Sequence, residues 1–480
     1  MRQDRVEVPP SRPDTLTLIA MGLGLIIAYR ASAQLPITAL GLAIFMPLAL
    51  WRPDLALAYV PLTVTLYFMP KGMFDARFGI RDSGIYLPLH EVVLLITLAG
   101  ASVRWVREMW GERKDLFSLA PLGLFFLAGL WGFAIAGDKG SALRELRWLI
   151  IEPLIFFGLL IFYARRRGSG YTTLIVGFWL AGGAISGLVG VLQFLGLNLA
   201  PLIGAKVGFS SDMIPVDGVL RVTGIYGHPN NLGLAMGRFW PLAAALAHVA
   251  FWDGPGGMAR IRRSWPTLLV TLLCLGGLLV SFSRGAYLGA AAGAATLALL
   301  LVPSRLLPPR RILLPLLALG GLAVLGGLAL LSMNVQRFNL LGASSGIRVQ
   351  TWASALAMLR DHPLGIGLDQ FGRLYPQYID PALVGTNEIH TAHPHNLLLD
   401  ITLRMGPLGL LAFVWLLVIF YRRVIQHMGT PLRIGAAAAM TAALVHGLVD
   451  SFYFWPDLAF AFWLMLALSM ITLRSSPPGG

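Results

Sequence analysis

Apolar runs of roughly 17 to 25 residues recur along the chain, the length a helix needs to cross a bilayer core. They fall near 15–30, 33–50, 54–70, 86–106, 117–136, 146–164, 171–196, 229–250, 265–282, 285–302, 312–333, 395–420, 433–449 and 456–473. Short alternating segments, the mark of a membrane β-barrel, are not the pattern. The chain therefore reads as an all-α polytopic membrane protein of 12–14 transmembrane helices; the lower count applies if short runs near the start merge or re-enter. The runs divide the sequence into helices 1 to 11 over residues 1–333, a large loop over 334–394 and C-terminal helices over 395–480. Within the loop, Val349, Trp352, Ala353, Leu356 and Leu359 recur at helical spacing. They predict an amphipathic helix over 347–361 that stops at Asp361-His362-Pro363. The glycines of LGIGLDQFG, 364–372, predict turns after it.

Composition agrees with the pattern. Of 480 residues, 56% are hydrophobic and 12% charged, with mean hydropathy +0.72. A soluble domain carries about twice that charged fraction. The net charge of +14 is scattered through loops rather than clustered, so it argues for topology and against nucleic acid as a partner. With the N-terminus inside, Arg52, Arg104, Arg107, Arg165–Arg167, Arg260, Arg262, Arg263, Arg305, Arg310, Arg311, Arg422 and Arg423 all fall on one side. That is the positive-inside distribution, and it puts both termini in the cytoplasm and the long loop outside. The opening MRQDRVEVPPSRPD reads as a cytoplasmic tail rather than a cleavable signal. Cys274, alone, can form no internal disulfide.

The candidate chemistry gathers at the outer boundary. His393-Pro-His395-Asn396 stands where the polar loop enters the apolar run 395–420. Three readings are open there. The segment can cap the helix; it can hold a metal together with His390, Glu388 and Asp400, although the spacing fits no zinc pattern; or His395 can act as a general base oriented by Asp400 or Asn396. Arg284, in Ser281-Phe-Ser-Arg-Gly285, interrupts the stretch 265–302, and Arg221 precedes the next span. Each either snorkels to headgroups or grips an anionic group such as a lipid diphosphate, for which a planar guanidinium is suited. Arg238 within its span reads as a buried ion pair or a site residue, and Arg348 as a solvated cap or a site residue. Glu91 and Glu152 lie inside spans and call for partners, arginine across helices being the expected one. Phe452, Tyr453, Phe454, Trp455 and Trp463 read as an interfacial aromatic belt. No phosphate-binding loop or dinucleotide glycine motif occurs.

Three segments carry a family resemblance: RVTGIYGHPNN over 221–231, SFSRG over 281–285 and IRVQTWASALAMLRDHPLGIGLDQFG over 347–372. His395-Asn396, nine residues, Gly406, two residues and Gly409 complete it. Together they resemble the O-antigen ligase and polymerase superfamily of bacterial envelope enzymes. The resemblance implies a GT-C-like, metal-independent glycosyltransferase of the inner membrane, working without a cofactor at a periplasmic site. It implies as partners undecaprenyl diphosphate-linked O-antigen, lipid A-core and membrane lipids. His395 is then the base, Arg221 and Arg284 bind the donor diphosphate, and His228, Asn231, His393 and Asn396 are candidate supporting residues, as are Arg238 and Arg348, whose assignment no motif fixes. O-antigen polymerase and protein O-oligosaccharyltransferase remain alternatives within the superfamily. A solute carrier of the bicarbonate type is the alternative outside it, weakened by polar residues that sit at the outer boundary rather than at the midplane.

Overall fold

The computed structural model describes residues 12–30, 35–66, 71–72, 86–111, 116–200, 214–216, 219–253, 257–301 and 343–471. Over these the chain is helical apart from two short antiparallel ribbons, β1 (Lys71–Gly72) with β2 (Tyr86–Leu87) and β3 (Ile214–Val216) with β4 (Val219–Arg221). The first helices are α1 (Arg12–Arg30), α2 (Leu35–Trp51), α3 (Pro53–Ala56), α4 (Tyr59–Thr65), α5 (Leu89–Gly111) and α6 (Leu116–Ile135). Then come α7 (Lys139–Glu145), a π-helical stretch (Leu146–Ile151), α8 (Glu152–Arg167) and α9 (Ser169–Phe194). The second half holds α10 (Pro229–Asp253), α11 (Met258–Val280), α12 (Arg284–Leu301), α13 (Ala343–Asp361) and α14 (Phe371–Leu374). The chain closes with α15 (Leu397–Gln426), α16 (Pro431–Gly447) and α17 (Pro456–Met470).

Six of the described helical segments are long and apolar enough to cross a membrane: Lys139–Arg167, Ser169–Phe194, Pro229–Trp252, Met258–Val280, Arg284–Leu301 and Leu397–Gln426. A seventh is the pair Pro36–Trp51 and Pro53–Thr65, bent by 118°. Sequence periodicity gives more runs, for identifiable reasons. The run at 312–333 lies outside the described residues. Three others form helices of only 10–17 residues, Leu89–Ser102, Ala120–Ile135 and Pro456–Met470. The last of these is apolar all round because protein surrounds it, with Phe460, Phe462 and Trp463 buried.

Two compact units divide the contacts: residues 1–114, 152–182 and 470–480 form one, 115–151 and 183–469 the other. In the first, Arg52 bridges Asp14 at 2.5 Å and Asp54 at 3.1 Å, and Arg167 also pairs with Asp54. Buried Glu152 lies against buried His90, Nε2 to Oε2 3.4 Å.

The second unit carries the outer loop and the C-terminal helices. α12 packs on α16 through Gly285, Gly289 and Gly293, one residue per turn. A Cβ on Gly289 would lie 2.5 Å from the Ala442 carbonyl, so only glycine permits this approach, the small-residue packing common between membrane helices. The aromatic run 452–454, expected as an interfacial belt, is core instead. Phe452 and Tyr453 are fully buried, the Tyr453 hydroxyl donates to the Leu149 carbonyl at 2.7 Å, and Trp463 Nε1 donates to the Tyr453 oxygen at 2.9 Å. Sequence cannot separate the two cases, because both call for large apolar rings with one polar atom.

The loop segment forms a small core of its own from Ala355, Met358, Ile366, Phe371, Tyr375 and Leu403. The helix expected over 347–361 is present as α13 and stops at Asp361. Its buried face is a different one: Thr351, Ser354, Ala355 and Met358 are buried, while Val349 and Leu356 of the anticipated stripe are exposed.

Candidate active site

α15 begins the site and its kink shapes it. Asn396 caps the helix, its Oδ1 accepting from the amides of Leu398 and Leu399 at 3.0 and 3.1 Å, while Nδ2 donates to the Leu448 carbonyl at 3.0 Å. Such a cap is worth about 1 kcal/mol. Ten residues on, Gly406 takes φ 69°, ψ −175° and Pro407 follows. Pro407 has no amide hydrogen for the Leu403 carbonyl. That carbonyl accepts instead from Ile366 N at 2.6 Å and Gly367 N at 3.3 Å, and Trp131 Nε1 donates to the Leu364 carbonyl at 3.0 Å. The glycine-rich turn of the loop is thereby stitched onto the helix break. Gly406 of the sequence motif has a structural reason: a Cβ there would stand 2.6 Å from the Leu364 carbonyl.

His395 precedes the cap with φ 51°, left-handed for a non-glycine residue. Its carbonyl accepts from Trp352 Nε1 of α13 at 3.2 Å. Its Nδ1 faces Oδ1 of Asp450 at 3.1 Å, and that same oxygen accepts from Ser451 N at 2.8 Å. Asp450 comes from the turn between α16 and α17 and is 3% exposed, whereas the His395 side chain is 25% exposed. The group that contacts the His395 ring is thus Asp450, where sequence pointed to Asp400 or Asn396. No local signal marks it, since it lies 55 positions downstream. Asp400 is engaged elsewhere. It accepts from Arg404 Nε at 2.7 Å and from the Ser451 hydroxyl, and Arg404 also pairs with Glu145 of α7.

Burial raises the Asp450 carboxyl, but the hydrogen bond and charge of His395, then His393 and His446, outweigh it and hold the group well below the usual carboxylate range. Asp450 is an anion beside an imidazole, the arrangement that fixes a tautomer and supports an imidazolium when a proton arrives. His393 stacks edge-on against His395, ring centroids 4.2 Å apart, and its Nδ1 accepts from the His395 amide at 3.3 Å. Burial, followed by His395, pushes the His393 imidazole well below its ordinary range.

The arginines divide by role. Arg221 ends β4 and is buried; its Nε donates to the Ser281 carbonyl at 2.9 Å and its Nη2 to Asn230 Oδ1 at 2.7 Å. Asn231, a supporting candidate from sequence, donates its backbone amide to the His228 carbonyl at 3.1 Å. Ser281 opens the break between α11 and α12, with Phe282 at φ 46° and Arg284 starting α12. The glycine face of α12 holds that start against α16, since a Cβ on Gly285 would meet the His446 ring and Val449. His228, exposed in the turn before α10, accepts the Asn230 amide on Nδ1 at 3.2 Å and interacts electrostatically with Asp450, Arg221, His395 and Arg348.

Arg238 differs. It is 1% exposed and donates to the Leu234 carbonyl and to the Phe452 carbonyl, both at 2.7 Å, with its guanidinium 4.8 Å from the Phe452 ring. Through the Phe452 carbonyl it ties α10 to the turn that carries Asp450. A separate apolar cavity, lined by Trp240, His248, Trp252 and Leu268, lies along α10 and α11. Its residues begin 12 positions beyond His228, about 18 Å at helical rise.

Residues 269–414 match the family model described as O-antigen ligase. The stretch holds Arg284, Arg348, His393 and His395; Arg221 and Asp450 fall outside it. No curated protein sequence matches the chain. The match covers 146 of the 480 residues, and over that stretch the chain is similar to the O-antigen ligase family.

Proposed function

We propose that this chain, which carries an O-antigen ligase domain over 269–414, transfers O-antigen polysaccharide from undecaprenyl diphosphate to a sugar hydroxyl of lipid A-core. His395 takes the proton of the acceptor hydroxyl as its oxygen attacks the anomeric carbon. The bond to the diphosphate oxygen breaks on the opposite face, so the anomeric centre inverts. Such proton transfer contributes about 10²–10⁴-fold. Asp450 holds the imidazole with Nδ1 inward, leaving Nε2 for the sugar, and stabilises the imidazolium. Arg221 and Arg284 take up the charge of the departing diphosphate, and Arg348 adds to the positive field. Fixed donors act strongly there because little water must reorganise.

The observation that carries this reading is the His395–Asp450 pair at 3.1 Å, at the foot of a membrane helix and in the electrostatic reach of the same His228 that feels Arg221 and Arg348. A proton acceptor beside a basic, partly desolvated surface suits a lipid diphosphate donor and a neutral hydroxyl acceptor. The site would face the periplasm of an inner-membrane protein with both termini in the cytoplasm. α13 and its loop, docked on the α15 kink, would cover the sugars, and the spans would shelter the two lipids.

The test is transfer in vitro with purified protein, undecaprenyl diphosphate-linked glycan and lipid A-core. Growth of the donor chain by repeat units without capping of lipid A-core would make the enzyme a polymerase. Transfer to a protein acceptor alone would make it an oligosaccharyltransferase.

A further inference from the structure

Asp450 leaves one buried atom unexplained by the base-and-orienter pair. Its Oδ1 is used twice, by His395 Nδ1 and Ser451 N, whereas Oδ2 is buried without a hydrogen-bond partner among the described residues. A carboxylate oxygen left so inside a protein is costly, so it points to something that occupies it. Around it stand two imidazoles: one ligand atom each from His393, His395 and Asp450 lie within 4.8 Å of one another. Of the metal set suggested by sequence, His390, His393 and His395 with Glu388 and Asp400, the histidines His393 and His395 come together, with Asp450 as the carboxylate; Asp400 is committed to Arg404 and Ser451.

We propose that His393, His395 and Asp450 form an inhibitory site for a borderline-soft divalent cation such as Zn²⁺, which stops sugar transfer by taking the His395 nitrogen that faces Asp450 and so leaving the ring proton on Nε2, the atom that must accept the sugar proton. The donor set suits such an ion. Two imidazoles and one carboxylate are the ligands of open zinc sites, with the fourth position left to water, and imidazole also suits Cu²⁺ and Ni²⁺ while Mg²⁺ and Ca²⁺ ask for oxygen. The fit needs only a small movement. Ligand atoms about 2.05 Å from a tetrahedral ion stand roughly 3.3 Å apart, so no pair must close by more than about 1.5 Å, within reach of imidazole torsions. The side chain of His395 is a quarter exposed, which leaves an entry path and a position for the fourth ligand. The ion would also satisfy Asp450 Oδ2 and cancel its buried charge. Binding as such depends only on the three side chains. Inhibition rests on the reading of His395 as base.

The test uses the full-length protein in nanodiscs. Zn²⁺ is titrated by calorimetry and Co²⁺ by visible absorption, and the bound zinc is examined by X-ray absorption. One ion per chain with imidazole scattering is expected, with affinity weakened at least tenfold in His393→Gln and again in Asp450→Asn, while Mg²⁺ gives no signal. Thermal unfolding of each variant in the absence of metal separates lost ligation from lost fold, and Asp450→Glu, which keeps a carboxylate, should retain part of the binding. Absence of stoichiometric binding to folded wild-type protein, or binding indifferent to all three substitutions, overturns the site. In the transfer assay, one equivalent of Zn²⁺ should abolish activity and a chelator restore it. Undiminished transfer by the zinc-loaded protein overturns the inhibitory role. A metal-free protein that transfers nothing counts against the proposed function instead and leaves the binding result standing.

Discussion

Nδ1 of His395 lies 3.1 Å from Oδ1 of Asp450, although 55 positions separate the two residues. The partner fixes which imidazole nitrogen faces the substrate. His395→Gln should lower transfer by about 10²–10⁴-fold, the usual worth of a general base. Asp450→Asn, which keeps the shape and inverts the tautomer, should cost between about 10-fold and about 10⁴-fold, the latter being the loss at a serine-protease triad. Single-turnover rates on folded protein check both, and a near-normal rate in either variant refutes the pairing.

Arg221 joins β4 to the Ser281 break and to Asn230. Arg221→Lys keeps the charge but loses the fork, so both bonds cannot be kept. We expect a stability loss of about 1–3 kcal/mol and a raised KM for the lipid diphosphate donor. Asn230→Ala should reproduce part of the stability loss without removing the charge. Denaturation followed by intrinsic fluorescence, alongside donor titration, reads the two effects separately. An unchanged donor KM in Arg221→Lys would remove it from the diphosphate site.

Arg238 should behave otherwise, because its two Nη groups donate to the Leu234 and Phe452 carbonyls. Arg238→Met leaves the Phe452 carbonyl buried and unmatched, at about 1–3 kcal/mol. It should lower kcat by loosening the Asp450 turn while donor KM stays unchanged. A donor KM that rises tenfold with stability intact would instead put Arg238 on the substrate.

Gly406→Ala tests the kink. Its φ of 69° with ψ of −175° is a glycine conformation, and the added Cβ would meet the Leu364 carbonyl at 2.6 Å. The strain alone is worth about 1–3 kcal/mol. The expected outcome is faster proteolysis within 364–390 and loss of hydrogen-exchange protection at Ile366 and Gly367, whose amides bond Leu403. Unaltered protection there would show that the kink is not what seats the loop.

What the sequence disclosed, it disclosed through spacing. Long apolar runs reveal spans because lipid imposes a length, and Asp361-His362-Pro363 marks a helix stop because proline excludes the next turn. The His395, Arg221 and Arg284 positions were legible because polar side chains stand out against apolar neighbours. Asp450 was not, since its only signal is a fold-dependent neighbour. The buried face of α13 was misread for a related reason: its neighbours accept Thr351 and Ser354, whose hydroxyls bond back to the Ile347 and Gln350 carbonyls and so need no external partner. The role of Arg238 was hidden likewise, because two main-chain carbonyls leave no trace in a residue pattern.

The left-handed backbone at His395 sets selection for durability against selection for turnover. A side chain with a Cβ gives up roughly 1–2 kcal/mol in that conformation, which glycine, and to a lesser degree asparagine, would recover. A library screened only for heat resistance should accumulate Gly or Asn at position 395, and one screened for glycan transfer should hold histidine there against that gradient.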